Sequence, residues 1–172
     1  MAIRAGVITV SDKGSRGERE DVSGREIIAM LKDIDAVVDA AAIIPDEPDR
    51  IKETLIAYAD GKKLDLILTT GGTGVSPRDL TPDATLAVID KEVPGMAEAM
   101  RRQSAAITPH AMISRAVAGI RGQSLIINLP GSPKGVRENL SVVLPALQHA
   151  IEKIKGDDRD CAPQDGGTGL AL

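Results

Sequence analysis

Short, β-branched apolar runs alternate along this chain with stretches whose apolar residues recur at helical spacing. Ile3 to Val10 is the first run, and it breaks into the polar stretch Ser11-Asp12-Lys13-Gly14-Ser15-Arg16-Gly17, the pattern of a buried strand entering a loop. Ile27, Ile28, Leu31 and Ile34 then share one helix face. Ala36 to Ile44 reads as a second strand, closed by Pro45-Asp46-Glu47-Pro48. Asp49 opens a helix that turns Ile51, Leu55 and Tyr58 inward and stops near Gly61. Leu64 to Thr70 is the third strand and runs into Gly71-Gly72-Thr73-Gly74. Thr81-Pro82 supplies an N-cap and a first-turn proline for a helix to about Lys91. Pro94-Gly95 starts another helix, with Met96, Met100 and Ile107 as core positions and Ser114 and Arg115 in a helical segment beyond. Ser124 to Leu129 is the fourth strand. After it, Ser132 caps and Pro133 opens a final helix to about Lys155, which Pro145 is expected to kink or divide.

Strands alternating with helices predict an α/β domain over residues 1–155, its parallel sheet covered on both faces by right-handed crossovers. Residues 156–172 are polar and Gly-rich, and are expected to form a flexible tail. In an open parallel sheet, ligands bind beyond the carboxyl ends of the strands. Four loops fall there: Ser11 to Gly17, Pro45 to Pro48, Gly71 to Asp79 and Pro130 to Gly135.

Composition narrows the chemistry. Acidic residues outnumber basic ones, with a net charge of −4, and Tyr58 is the sole aromatic residue. Both facts argue against a nucleic-acid binder, which needs phosphate-neutralising cations and stacking rings. One cysteine, Cys161, permits no intrachain disulfide, and His110 and His149 lack ligand-spaced partners. No apolar stretch approaches the roughly 18 residues that span a bilayer, and the N-terminus carries no signal-peptide pattern. The expectation is a cytoplasmic protein with no membrane partner.

The glycine loop is the strongest candidate element. Gly71, Gly72 and Gly74 admit positive φ and let a phosphate approach backbone N–H groups, although a plain tight turn has the same composition. It matches neither the phosphate-binding P-loop nor the dinucleotide pattern. Asp79 lies just before a helix N-terminus. A carboxylate beside phosphates calls for a bridging cation such as Mg²⁺, whereas an ordinary turn or cap also uses Asp. Asp46, between two prolines, invites the same two readings. Ser11, Asp12 and Ser15 either bind phosphate or finish the first turn. Lys13, Arg16, Arg78 and Lys134 offer positive charge to that edge, as any surface cations would. Asn128, inside an apolar strand, needs hydrogen-bond partners.

The blocks ITVSDKGSRG, IIPDE, TTGGTGVSPRDLTPDAT, VPGM, ISRAVAGIRG and IINLPGSPKGVRENL, in that order over about residues 3–156, resemble the MogA/MoaB-type family of molybdenum-cofactor biosynthesis, which includes the gephyrin-type G domains. The resemblance implies a three-layer α/β/α fold with a mainly parallel sheet, and a homotrimer. It implies a molybdopterin adenylyltransferase that uses Mg²⁺ and ATP and releases pyrophosphate, with a molybdenum-insertion protein downstream. Asp46 and Asp79 would be the catalytic, metal-holding aspartates. Ser114 and Asn128 would be site residues near the ligand, and Gly71, Gly72 and Gly74 would approach the pterin or nucleotide phosphates. Ser11, Asp12, Thr73, Pro130, Gly131 and Ser132 complete the expected binding set. The family also admits a non-catalytic molybdopterin carrier or an oligomeric scaffold.

Overall fold

The computed structural model describes residues 2–158, so Cys161 and all but the first three residues of the expected tail lie outside the described residues. Six strands, β1 (Arg4–Val10), β2 (Val37–Ile44), β3 (Leu66–Thr70), β4 (Lys91–Glu92), β5 (Ala118–Arg121) and β6 (Ser124–Leu129), form one sheet in the order β2-β1-β3-β6-β5-β4. The four strands legible in the sequence are the parallel ones. The other two are antiparallel additions: β5 pairs with β6, and β4 with β5. The β5–β6 hairpin turns at Gly122, whose φ of 56° suits a two-residue turn. The sequence pattern predicts a strand only from Ser124 to Leu129, on one side of this turn.

Helices α1 (Asp12–Ser15), α2 (Val22–Leu31), α3 (Pro48–Ile56), α4 (Thr81–Leu86), α5 (Pro94–Ala105) and α6 (Pro133–Ile154) complete the chain. On one face, Ile27 and Leu31 of α2, Met100 of α5, and Val136, Leu140 and Leu147 of α6 pack on Val7, Leu68 and Ile127. On the other, Ile51 and Leu55 of α3, Ala84 of α4 and Tyr58 pack on Ile8, Ile67 and Ile126. Covered on both sides, β3 and β6 are buried along their whole length, which is why they read as continuous apolar runs. The three-layer α/β/α architecture is as expected. Among the described residues, no helix is long and apolar enough to cross a membrane.

Several local expectations need correction. Thr81 is not an N-cap: Leu80 holds that position without a side-chain bond, and Thr81 enters the first turn with its Oγ1 buried and unpartnered. The helix it opens ends at Leu86, because Lys91 belongs to β4. Ile107 lies past the end of α5 and is 51% exposed. Ser114 follows a 3₁₀ turn, Pro109–Ile113, in extended conformation (φ −68°, ψ 123°) rather than in a helix. Pro145 does not divide α6, which runs unbroken through it. Both Pro145 and Ser141, whose carbonyl loses its amide partner, are exposed, so the gap opens to solvent rather than to the core.

Asn128 stitches the layers together. Its Nδ2 donates to Thr69 Oγ1 (3.0 Å) and Thr85 Oγ1 (2.9 Å), and its Oδ1 accepts from the Val117 N–H (3.2 Å). Asn128→Leu should therefore destabilise the fold by about 1–3 kcal/mol, because it takes a partner from the Val117 N–H and from the buried hydroxyls of Thr69 and Thr85. Urea unfolding of the variant checks this, and a stability equal to wild type would contradict it.

Candidate active site

From β1 the chain crosses to β2 on one side, and from β3 it leads toward β6 on the other. Loops leaving adjacent strands in opposite directions open a crevice at their carboxyl ends. A cleft of about 690 Å³ occupies that position. Its walls include Ser11 after β1, Asp46 after β2, Gly71 and Gly72 after β3, and Gly131 and Ser132 after β6. All four loops singled out in the sequence thus reach one edge.

The glycine loop is shaped by backbone contact. Gly71 (φ 100°) and Gly72 (φ 65°) are left-handed, a region that side chains avoid. A Cβ on Gly71 would lie 2.3 Å from the Val10 carbonyl oxygen, and one on Gly72 would lie 2.4 Å from Thr81 Oγ1 and 3.4 Å from Asp46 Oδ1. A Cβ on Gly74 would lie 2.8 Å from Asp79 Oδ2. The two aspartates therefore flank the same loop. Gly71 N–H is used by the Leu129 carbonyl (3.2 Å), but among the described residues the N–H groups of Gly72, Thr73 and Gly74 have no acceptor. Ser132 Oγ caps α6 by accepting the Gly135 N–H (3.0 Å). Free N–H groups beside the positive end of this 22-residue helix suit an anion.

Asp46 is held by a reciprocal exchange. The Asp12 N–H donates to Asp46 Oδ2 (2.8 Å), and the Asp46 N–H donates to Asp12 Oδ1 (3.0 Å). Arg78 forks onto the Asp12 carboxylate (2.6 and 2.9 Å) and also donates to the Asp46 carbonyl (3.2 Å). The Arg78 guanidinium holds the Asp12 carboxyl below its ordinary value. Burial pushes Asp46 up, and the neighbouring Asp12 and Asp79 charges add to the shift. Asp79 Oδ2 accepts the Ser76 N–H (2.9 Å) across a tight turn.

Among the described residues there is no group of three or more His, Cys, Asp or Glu suited to a metal ion. Asp12 is committed to Arg78, which leaves Asp46 and Asp79. Two carboxylates beside an anion-binding loop fit Mg²⁺, which takes one or two carboxylates together with substrate phosphates and water. They do not fit a cation caged by protein alone.

A second cavity of about 450 Å³ adjoins the first and shares Ser132 with it. Thr73, Gly74, Ser114 and Pro130 fall on its wall, together with Arg101 and His110. Asp12 and Asp79 border the loops without lining either cavity, and Asn128 is brought to neither, being fully buried. Sequence reasoning missed Thr9 and Asp21 in the first cleft. Asp21 caps α2 through the Gly24 N–H (2.8 Å) and accepts from Thr9 Oγ1 (2.9 Å); an Asp just before a helical apolar pattern was the available signal. It also missed Arg115, whose partners are all distant in sequence.

Fold and cleft together define a class: a doubly wound α/β protein with its ligand crevice at the switch point of the sheet. Residues 6–149 match the family described as the probable molybdopterin binding domain, and the chain belongs to that family. It is 44% identical over 159 residues to the molybdopterin adenylyltransferase of Helicobacter pylori strain J99, covering 91% of this chain and 90% of that one. Gephyrin of Dictyostelium discoideum is 44% identical over 169 residues, covering 92% of this chain, which spans only 23% of that protein's length. Among solved structures, the molybdopterin biosynthesis enzyme MoaB of Thermus thermophilus superposes with a TM-score of 0.85 at 53% identity, covering 90% of this chain and 97% of that one.

The two linked carboxyls are displaced from the ordinary aspartate midpoint in opposite directions. The fold binds the Asp46 proton more tightly than the unfolded chain does, so this group's contribution to stability is full below the ordinary aspartate pKa and declines as pH rises through the raised value. For Asp12 the contribution is present above the ordinary value and disappears as pH falls through the lowered one. Carboxyl-carbon NMR titration should place Asp46 above and Asp12 below free aspartate, and Arg78→Gln should bring Asp12 upward. An Asp12 midpoint indifferent to Arg78 would refute the pairing.

Proposed function

We propose that the protein is a molybdopterin adenylyltransferase, transferring AMP from ATP to the terminal phosphate of molybdopterin in molybdenum-cofactor biosynthesis. The observation that carries this reading is the pair Asp46 and Asp79 on either side of a glycine loop with free N–H groups, in a member of the molybdopterin-binding family. The transferase names of its relatives at more than 40% identity support it.

In this reaction a terminal phosphate oxygen of molybdopterin attacks the α-phosphorus of ATP. A new P–O bond forms, the α–β bridging bond breaks, and pyrophosphate departs with the bonding electrons. The attacking group is already anionic, so no strong base is required. Asp46 and Asp79 would hold Mg²⁺, which would screen the phosphates and the charge developing on the leaving group. The N–H groups of Gly72, Thr73 and Gly74 and the α6 N-terminus, with Ser132 and Gly131, bind phosphate oxygens. Gly71 gives that loop its turn, Ser11 and Asp12 shape the wall beside Asp46, and Ser114 and Pro130 border the second substrate's cavity. Asn128 supports the site from within the sheet. Positioning of the two reactants supplies much of the rate. The enzyme acts in the cytoplasm as a homotrimer and passes its product to a molybdenum-insertion protein.

The test is anaerobic incubation with molybdopterin, ATP and Mg²⁺, following pyrophosphate and the adenylylated pterin by mass. Wild type should form both products. Asp46→Asn and Asp79→Asn should each lower turnover about a hundredfold or more while leaving the fold intact. Near-normal turnover in either variant removes that residue from the mechanism. Pterin binding without product in folded wild-type protein would identify a carrier or scaffold instead.

A further inference from the structure

The stretch from Val75 to Arg78 is exposed, so packing does not fix the position of the Asp79 that follows it. Beside the fork of Arg78 onto Asp12, the two ends of that stretch are held by one side chain from the segment that precedes β5. Arg115 Nε donates to the Gly74 carbonyl (2.9 Å), and Arg115 Nη2 donates to the Asp79 carbonyl. Its backbone N–H donates to the Thr73 carbonyl (2.8 Å). The remaining guanidinium capacity goes to the Asp83 carboxylate at the start of α4 (3.2 and 2.8 Å). Every one of these acceptors lies between Thr73 and Asp83.

The base of the brace is itself anchored. Arg101 of α5 donates to the Ala116 carbonyl (2.8 Å) and to the Ser114 carbonyl (3.4 Å), fixing the extended segment on both sides of Arg115. Ser114, Arg101 and Gly74 all line the second cavity. The Arg115–Asp83 ion pair is 40% and 52% exposed and contributes little stability by itself. The carbonyl contacts are the specific part, because a planar fork of donors spans two peptide oxygens at once, which an ammonium cannot do.

We propose that Arg115 is a positioning residue for Asp79: it clamps the loop from Gly74 to Asp79 in the conformation that sets the Asp79 carboxylate against Gly74, at the border of the glycine loop. The proposal rests on the adenylyltransferase reading for its kinetic consequence, though not for its geometric one.

The test compares Arg115→Lys with Asp83→Asn. The lysine keeps a charge near Asp83 but loses the fork, whereas Asp83→Asn removes the ion pair and keeps the carbonyl contacts. Arg115→Lys should lower kcat by about a hundredfold, the scale of an ångström-sized misplacement, with KM for ATP within about twofold. Amide exchange of Ser76 and Asp79, whose N–H groups close the turn onto Asp79 Oδ2 and the Ser76 carbonyl, should quicken while core strands keep their protection. Asp83→Asn should stay close to wild type in both readouts. Unchanged kcat in folded Arg115→Lys would overturn the proposal. So would uniform loss of amide protection with activity falling in step with Tm, since that is a purely structural role. If wild type forms no adenylylated product, the functional reading fails by itself. The exchange arm then decides the clamp alone: selective loss at Ser76 and Asp79 sustains it, and unaltered exchange overturns it.

Discussion

At the end of β3 the backbone passes so close to the end of β1 and to the first turn of α4 that no side chain fits. Gly71 faces the Val10 carbonyl and Gly72 faces Thr81 Oγ1, each nearer than a Cβ would tolerate. That approach lets the loop turn back over the sheet edge, with the N–H groups of Gly72, Thr73 and Gly74 unpaired among the described residues and a carboxylate on each side. With any larger residue the loop would have to lift away from β1. Asp46 and Asp79 would then no longer share a border, and the cleft would lose its floor.

The electrostatics follow from this geometry. Burial raises the cost of ionising Asp46, and the charges of Asp12 and Asp79 at the same edge add to it. Arginines make the crowding tolerable. Arg78 neutralises Asp12 and ties the glycine loop to the Asp46 loop, while Arg115 pulls the same loop toward α4. Both arginines spend their charge on protein partners, so neither is free to take an anion, whereas the backbone N–H groups of the loop and the N-terminus of α6 are. These are rigid, fixed dipoles, suited to holding a phosphate without reorganisation.

Much of this was legible along the chain because it depends on local chemistry. Buried parallel strands cannot alternate with polar residues, so β1, β3 and β6 announce themselves as apolar runs. Ser132-Pro133 is a cap and first turn whatever surrounds it. Strand β5 was not legible, since it is four residues long and hides behind a tight turn within one apolar run. Thr81 looked like a cap because capping propensity says nothing of the glycine backbone packed against its hydroxyl.

The sequence by itself determined the parallel core of the sheet, the four loops at its carboxyl edge and the residue types that fill them, because periodicity and turn chemistry act over a few neighbouring residues. Only the tertiary structure decided which of those residues meet. The reciprocal bonds between Asp12 and Asp46, the fork of Arg78 and the reach of Arg115 to Gly74 and Asp79 join positions dozens of residues apart. Their geometry is set by the strand order, which no local pattern encodes. The division of site residues between two cavities, and the retreat of Asn128 into the core, were decided there as well.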